Sequence, residues 1–260
     1  MIIVPLPAFN DNYIWLLHNR QHAWVVDPGE ATGVQSYLAQ HQLTLAGILI
    51  THHHADHIGG VTDLAALSPN YALPVIGPRT PRIPQVNHAV QEGDVVTLPE
   101  LGLTLSVLDI PGHVDDHIAF FAGQHAPPLL FCGDTLFAGG CGRVFEGTPE
   151  RLHQSLQKLM RLPPDTLVHC AHEYTEANLR FAQAVEPGNA ALQARIQHVH
   201  AQRSARQPSL PSTLAEELAT NPFLRTHLPT VSATAQQQAP GSPADPATVF
   251  GVIRAWKNRF

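Results

Sequence analysis

The segment Thr51-His-His-His-Ala-Asp-His-Ile-Gly-Gly60 places four histidines and one aspartate within six consecutive positions. The alternating His52 and His54 can point to one side of a loop, whereas Asp56 and His57 can be aimed at a second point nearby. Imidazole and carboxylate groups bind zinc, iron and manganese alike, so the residue types do not select the metal. A chance run on a solvated loop is the alternative, but the strand-loop-helix context favours catalysis. The segment therefore predicts parts of two metal sites.

Two ligands per metal leave each site incomplete, so further ligands are expected at the ends of other strands. Residues of the right types follow three later β-like runs: His113, Asp134 and His172. An aspartate can bridge two cations, because each of its two oxygens can bind one of them. The sequence therefore predicts a two-metal centre whose ligands are spread over several loops.

The composition excludes several classes of function. The 260 residues carry a formal net charge of -6 and only 14% charged residues, without a basic stripe, so a nucleic-acid partner is not expected. No apolar stretch is long enough to cross a membrane. The N-terminus lacks the features of a secretory signal, so we expect the chain to begin near Met1. Three cysteines without CxxC spacing favour a reducing, cytoplasmic location.

Short apolar runs that end at turn residues predict the strands that position these ligands. They lie at residues 14–17, 23–26, 46–50, 74–76, 103–108, 119–121 and 129–131. Helices are predicted at residues 33–42, 60–68 and 149–161, the last with Thr148 as its cap and Pro149 at its first position. This pattern is typical of an α/β or α+β sandwich.

The pattern becomes helical after about residue 175. Residues 176–206 are rich in Ala, Gln, Leu and Arg at helical spacing, and residues 214–220 predict a short helix. Residues 228–246 contain few large apolar side chains, so we predict a mobile loop there. Pro246 is placed to open a final helix. These features predict a small helical domain.

The order HxHxDH, His113, Asp134 and His172 resembles the metallo-β-lactamase superfamily. Within it, the chain resembles the glyoxalase II, or hydroxyacylglutathione hydrolase, family almost from end to end. The segments that carry this resemblance are PAFNDNY (7–13), THHHADH (51–57), GDTLFAGGCGR (133–143), FEG (145–147), CAHEYT (170–175), PSTLAEEL (211–218) and NPFLR (221–225). The resemblance implies an α+β fold, with an αββα metallo-β-lactamase-type sandwich at residues 1–174. A smaller C-terminal α-helical, substrate-binding domain would follow at residues 175–260.

The resemblance also implies the activity and the metal ligands. Two divalent ions, zinc or else iron or manganese, would share a hydroxide that attacks S-D-lactoylglutathione or another 2-hydroxyacylglutathione. The products would be D-lactate and glutathione, a step in methylglyoxal detoxification. The implied ligands form two sets joined by one bridging carboxylate: His52, His54 and His113; Asp56, His57 and His172; and Asp134 between them.

A glutathione thioester carries carboxylates, so its pocket should contain cations that the metals do not need. The resemblance nominates Arg143, Phe145, Tyr174, Arg254 and Lys257 as substrate-binding residues. Arg254 and Lys257 lie three positions apart on the predicted final helix, so both can reach one carboxylate. A solvated basic helix end is the alternative.

The chain departs from the family pattern at two places. Some relatives have tyrosine where this chain has Phe145, and HTxGH is usual where this chain reads His113-Val-Asp-Asp-His117. Asp115 and Asp116 are interpreted either as acceptors for the ring N–H of a metal ligand or, with weak preference, as exposed loop charges. Asp27 either orients a metal ligand or makes a turn.

Other functions remain as alternatives. A persulfide dioxygenase has a similar fold but uses one iron, and it would leave Asp56 and His57 without a metal. The C-terminal Arg254 and Lys257 favour the hydrolase. A β-lactamase has no use for the helical tail, a nuclease does not fit the acidic net charge, and a non-enzymatic metal-binding module does not need seven ligands. We expect a monomer that acts on a small molecule, without membrane or nucleic-acid partners.

Overall fold

The structure is a computed structural model that describes residues 1–68 and 73–260. These residues form two compact units, which we term the N-terminal unit (residues 1–109 and 116–133) and the C-terminal unit (residues 110–115 and 134–260). The predicted domain boundary after residue 174 stays a prediction. None of the helices formed by the described residues has the length and apolar content that crossing a bilayer requires.

The first sheet of the N-terminal unit contains six strands among the described residues. In spatial order they are β1 (Ile2–Ala8), β2 (Asn12–His18), β3 (His22–Val26), β4 (Thr44–Leu49), β5 (Val75–Pro78) and β6 (His88–Val90). The pairs from β1 to β3 are antiparallel and those from β3 to β6 are parallel. The predicted strands at 14–17, 23–26, 46–50 and 74–76 are confirmed, although β4 ends at Leu49 and β5 begins at Val75.

β1 lies outside the predicted strands because Pro5 and Pro7 interrupt its sequence. Proline lacks the N–H that a central strand needs, so it is tolerated mainly at sheet edges. β1 is such an edge strand, paired only with β2 among the described residues. The edge position therefore explains why a proline-containing segment forms a strand.

A second set of strands in the N-terminal unit forms an antiparallel meander. It comprises β7 (Val95–Leu98), β8 (Leu103–Asp109), β9 (Ile118–Ala122) and β10 (Leu129–Gly133), each paired with the next. Residues alternate between buried and exposed from Leu103 to Val107, as expected for a strand with one face on the core. The predicted strands at 103–108, 119–121 and 129–131 are confirmed.

Three helices complete the N-terminal unit: α1 (Thr32–His41), α2 (Ala55–Ile58) and α3 (Val61–Ala65). α1 buries Val34 and Leu38 in one hydrophobic cluster with Leu16 and Ile48 of the first sheet. The predicted helix at 33–42 is confirmed, and α3 is shorter than the predicted helix at 60–68. This packing holds the sheet from which the histidine segment emerges.

The C-terminal unit is mainly helical. Its elements are β11 (Leu136–Phe137), β12 (Gly140–Cys141), α4 (Pro149–Leu159), β13 (Leu167–Cys170), α5 (Thr175–Val185), α6 (Ala190–Ser204), β14 (Ser212–Thr213), α7 (Leu214–Thr220), α8 (Pro229–Gln238) and α9 (Pro246–Lys257). β11 and β12 form a hairpin, and β13 pairs with β14. α9 packs against both α4 and α8.

Two helix starts in this unit agree with the sequence. Thr148 accepts a hydrogen bond from the backbone N–H of Arg151, and Pro149 is the first residue of α4. Asp245 caps α9 in the same way, with Pro246 at the first position. Since proline has no N–H to leave unsatisfied, it suits the first turn of a helix.

The predicted mobile loop at residues 228–246 is wrong for most of its length, because Pro229–Gln238 form α8. Alanine and glutamine are good helix formers, and Pro229 stands at the first helical position. α8 buries only Val231 and Ala235, so its apolar content is low although its position is fixed by packing. A low content of large apolar residues therefore does not exclude a short helix.

A buried ion pair joins α6 and α7. Glu217 is fully buried, and Arg195 Nη2 donates to its Oε1 at 2.5 Å. Its Oε2 accepts from the backbone N–H of Gly139 at 2.8 Å and from Asn221 Nδ2 at 3.1 Å. Glu217 thus neutralises Arg195 and also accepts a hydrogen bond from a backbone N–H at the tip of the β11–β12 hairpin.

We expect Glu217→Gln to lower the free energy of unfolding by about 3–5 kcal/mol, because Arg195 would lose its buried countercharge and keep only the partly exposed Glu216 nearby. The measurement is urea unfolding followed by circular dichroism. Glu216→Gln is the matched control, since Glu216 lies 3.4 Å from Arg195 but is partly exposed, and it should change the stability by less than about 0.5 kcal/mol. Equal effects of the two variants would contradict this account.

Candidate metal centre

The histidine segment begins where β4 ends, and Asp27 anchors its first residue. Asp27 follows β3 with a backbone φ of 51°. Its Oδ1 accepts from Thr51 N and its Oδ2 from Thr51 Oγ1, both at 2.7 Å. The loop therefore leaves the sheet in a fixed direction.

His52 and His54 form the first pair of potential ligands. His52 Nε2 lies 3.1 Å from His54 Nδ1, so both nitrogens face the same point. His52 is fully buried, and its Nδ1 lies 3.1 Å from Thr51 Oγ1. The side chain between them, His53, turns to Asp116 instead, at 2.8 Å. The alternation predicted from HxHxDH is therefore present in the structure.

Asp56 and His57 form a second pair in the same unit. Asp56 Oδ2 lies 3.6 Å from His57 Nε2 and accepts a hydrogen bond from Asn12 Nδ2 at 3.0 Å. His57 Nδ1 lies 3.1 Å from Asp27 Oδ2, so the carboxylate holds the ring proton on Nδ1 and directs the Nε2 lone pair towards Asp56. Of the two interpretations of Asp27, orientation of a ligand is the one that the geometry supports.

Asp27, His52 and His57 also offer donor atoms within 4.8 Å of one another. Both oxygens of Asp27 already accept hydrogen bonds, from Thr51 and His57. This cluster is explained by the orienting hydrogen bonds and does not need a metal of its own.

The C-terminal unit brings two histidines together around one carboxylate. His113 Nε2 lies 3.5 Å from Asp134 Oδ2, and His172 Nε2 lies 3.3 Å from Asp134 Oδ1. Each oxygen of Asp134 therefore faces a different histidine. This is the arrangement expected of a carboxylate that serves two cations.

The outer nitrogen of His113 is also fixed. His113 Nδ1 donates to the backbone oxygen of Arg143 at 2.8 Å, which directs Nε2 towards Asp134. His172 stacks on the ring of Tyr174, with centroids 4.7 Å apart and planes 7° from parallel. Two of the substrate-binding residues predicted from the sequence, Arg143 and Tyr174, therefore contact predicted ligands of the same unit.

The spacing of the donor atoms fits metal coordination. Two atoms that bind one tetrahedral zinc ion at about 2.0–2.1 Å lie about 3.3 Å apart. The donor pairs in the two units are separated by 3.1, 3.6, 3.5 and 3.3 Å. Each unit thus holds imidazoles and carboxylates at separations that a divalent ion can span.

Close backbone contacts restrict two positions to glycine. A Cβ on Gly29 would lie 1.9 Å from the backbone oxygen of Asp56, and one on Gly142 would lie 2.0 Å from the backbone oxygen of Asp134. The sequence analysis assigned no role to these two glycines, to Asn12 or to Thr51. The quoted motifs contain Asn12, Thr51 and Gly142 but not Gly29. A through-space contact leaves no local pattern, so the motifs were the only signal.

The predicted substrate-binding residues all lie in the C-terminal unit. Phe145 and Tyr174 expose 60% and 36% of their surface, so their rings are available to a ligand. Lys257 Nζ lies 5.0 Å from the centre of the Phe181 ring. Burial, reinforced by the charge of Arg254, lowers the pKa of Lys257 to about 8.

The cysteines do not provide a nucleophile. All three are buried and free. Burial raises the pKa of the Cys141 thiol, although the charge of Arg254 opposes the shift, and burial raises that of Cys170 to about 12. Both thiols are therefore protonated near neutral pH, and a protonated thiol is a poor nucleophile.

Asp115 and Asp116 behave differently from each other. The half-exposed Asp115 pairs with Arg151, as expected of a surface loop charge. Asp116 is largely buried and pairs with His53, which is flanked by two predicted ligands. The buried His117 stacks on His52, with centroids 4.5 Å apart. Asp116 thus matches neither interpretation made from the sequence.

Comparison with known proteins identifies the class. The model of the metallo-beta-lactamase superfamily matches residues 8–172. ETHE1 from Myxococcus xanthus, a solved structure, is 26% identical with a TM-score of 0.62 and covers 99% of this chain and 98% of its own. TTHA1623 in a di-iron-bound form is 27% identical with a TM-score of 0.54, covering 66% and 92%. The fold is thus the metallo-β-lactamase-type α+β sandwich expected from the sequence, with potential His and Asp metal ligands.

The particular family follows from the rest of the chain. Residues 173–260 match the model described as the C-terminus of hydroxyacylglutathione hydrolase. The hydroxyacylglutathione hydrolase of Cupriavidus taiwanensis is 54% identical over 263 residues, which cover 99% of this chain and 98% of that protein. This chain belongs to the hydroxyacylglutathione hydrolase family, and the resemblance stated from the sequence is confirmed, including the C-terminal helical domain.

We expect Asp27→Asn to weaken metal binding by about 10- to 100-fold, because an amide cannot accept from Thr51 and His57 as the carboxylate does. The measurement is competition with a chromogenic chelator. Asp63→Asn is the control, since Asp63 is an exposed carboxylate of α3. Unchanged metal affinity in Asp27→Asn would show that Asp27 only shapes the turn.

Proposed function

We propose that the protein hydrolyses S-D-lactoylglutathione and other 2-hydroxyacylglutathiones to the hydroxy acid and glutathione. The observation that carries the proposal is Asp134, which offers one oxygen to each of two histidines in a chain of this hydrolase family. The C-terminal family match favours the hydrolase over the persulfide dioxygenase alternative. The reaction needs an activated water and a site for the glutathione carrier.

We infer that the ligands predicted from the sequence hold two divalent ions. The first ion would take His52, His54 and His113, the second would take Asp56, His57 and His172, and Asp134 would serve both. Zinc fits this donor set, and iron or manganese fits it as well. The related TTHA1623 was solved in a di-iron-bound form, which supports iron as a candidate.

When bound, the two ions activate water at neutral pH and polarise the thioester carbonyl. The chain's own groups fix the geometry. The Asp27 carboxylate and the Arg143 carbonyl hold the protons of His57 and His113 on Nδ1, and Asn12 orients Asp56. Since a thiolate is a good leaving group, no strong protein acid is required to protonate it.

The carrier is proposed to bind through the C-terminal unit. Arg143, Arg254 and Lys257 supply positive charge for the carboxylates of glutathione. Phe145 and Tyr174 supply exposed aromatic surface beside His113 and His172. Phe145 has no hydroxyl, so this chain makes one hydrogen bond fewer to the carrier than a relative with tyrosine there.

The cellular setting is part of the proposal. Three buried free cysteines fit a reducing compartment, and we propose a cytoplasmic monomer that acts in methylglyoxal detoxification. No membrane or nucleic-acid partner is proposed. The substrate is a small molecule.

Purified protein should contain about two metal ions per chain and hydrolyse S-D-lactoylglutathione. The loss of thioester absorbance measures the hydrolysis. Asp134→Ala should lower kcat by at least about 100-fold and the metal content to at most about one ion, because both sites lose a ligand. Asp165→Ala is the control, since Asp165 is exposed, and should leave both unchanged. No hydrolysis by wild-type protein with two bound metals would refute the proposed function.

The proposed role of Lys257 predicts a pH dependence. Its ammonium is charged below a pKa of about 8 and neutral above it, so kcat/KM for S-D-lactoylglutathione should fall as the pH rises through about 8. Lys257→Arg keeps the charge at all these pH values and should remove this part of the fall. The measurement is the pH dependence of kcat/KM, from initial rates between about pH 6 and pH 10. An identical profile in the variant would contradict the assignment.

A further inference from the structure

The two arginines proposed to bind the carrier share one hydrogen-bond acceptor. Asn258 Oδ1 accepts from Arg254 Nη2 at 3.1 Å and from Arg143 Nε at 3.4 Å. Asn258 is the C-cap of α9, and its backbone N–H donates to Arg254 O at 3.3 Å. The acceptor therefore has a fixed backbone and lies one helical turn after Arg254.

Arg254 is the anchored member of this pair. It is 6% exposed, and its Nη1 donates to the backbone oxygens of Cys141 at 3.0 Å and Gly142 at 3.4 Å. Its guanidinium also lies 5.2 Å from the centre of the Phe223 ring. These contacts use one side of the group and leave its orientation little freedom.

Arg143 is the exposed member. Among the described residues, its side chain makes one hydrogen bond, through Nε to Asn258, and neither terminal nitrogen has a hydrogen-bond partner. The terminal nitrogens form the fork that binds a carboxylate with two parallel hydrogen bonds. An exposed arginine would otherwise lose rotamer entropy on binding. A contact at Nε orders the fork without occupying it.

The amide of Asn258 is neutral, which distinguishes it from the acids that usually pair with arginine. A carboxylate at this position would hold both guanidinium groups but would cancel one positive charge. An amide oxygen holds them and leaves both charges for a ligand. Two like charges also repel, so a shared acceptor is needed to keep them together.

We propose that Asn258 is a positioning residue that ties the exposed Arg143 to the anchored Arg254 and so preforms a subsite for a carboxylate of the thiol carrier. The inference rests on the proposed function, because it assigns the selectivity for an anionic carrier within that reaction. Asn258 acts on binding of the carrier and not on the thioester. Its loss therefore raises KM and leaves kcat unchanged.

The first test uses Asn258→Ala and two thioesters. For S-D-lactoylglutathione, KM rises on the order of five- to tenfold with kcat unchanged, as expected when Arg143 loses its one side-chain hydrogen bond and the carrier must order the fork. For S-D-lactoyl-N-acetylcysteamine, whose carrier has no carboxylate, kcat/KM is the same in both proteins. A KM within twofold of wild type for the glutathione substrate, or an equal loss on both substrates, overturns the proposal.

The second test separates positioning from charge. Asn258→Asp keeps an acceptor but adds a negative charge. KM for S-D-lactoylglutathione therefore rises at least as much as in Asn258→Ala. Because salt screens the added charge, the KM values of Asn258→Asp and wild type move closer together as the salt concentration increases. Gln197→Glu adds the same charge at an exposed position of α6 and leaves KM unchanged. A lower KM in Asn258→Asp overturns the argument for a neutral acceptor.

Binding of S-methylglutathione, a thioether that cannot be hydrolysed, distinguishes the two levels of failure. Calorimetry on full-length wild type and Asn258→Ala gives a five- to tenfold weaker affinity in the variant if the inference holds. Equal affinities in proteins that both hydrolyse S-D-lactoylglutathione overturn the inference alone. A wild type that neither binds the thioether nor hydrolyses the thioester overturns the proposed function and this inference with it.

Discussion

The spacing of the potential metal-binding donor atoms is the constraint that organises this protein. Imidazole nitrogens and carboxylate oxygens face one another at 3.1–3.6 Å in both units, although such groups gain little from mutual contact without an ion. Buried polar groups persist only where their remaining atoms are bonded. The chain meets this requirement with hydrogen bonds from outside the cluster: the Asp27 carboxylate for His57, the Arg143 carbonyl for His113 and Asn12 for Asp56.

Those supporting contacts explain several features that otherwise look accidental. Gly29 and Gly142 stand where any side chain would collide with the backbone of a predicted ligand, Asp56 or Asp134. Asp27 adopts a left-handed backbone, which brings its carboxylate to both Thr51 and His57. In the C-terminal unit, the Arg143 backbone supports a ligand while its side chain points to Asn258. A single segment thus links the orientation of His113 to the subsite proposed for the carrier.

The candidate ligands could be nominated from the sequence because their signal is local. HxHxDH fixes four residues by spacing alone, and His113, Asp134 and His172 each follow a recognisable strand. It could not decide what holds them, since Asp27 and His57 are thirty positions apart and their contact exists only in the folded chain. α8 was not predicted because small and polar residues, not large apolar ones, carry its helix propensity. β1 was not predicted because it contains two prolines, which a strand tolerates mainly at a sheet edge, and the sequence does not show that β1 lies at an edge. Asn258 was missed because one asparagine near a terminus has no pattern. The substrate class was predicted from the family resemblance, because the spacing of metal ligands does not indicate which substrate binds.

Anomalous diffraction from crystals of the metal-loaded protein is the most direct test of the central claim. It should show two ions about 3.5–4 Å apart, with one oxygen of Asp134 bound to each, His113 on the first ion and His172 on the second. A single ion, or two ions that do not share Asp134, would contradict the account.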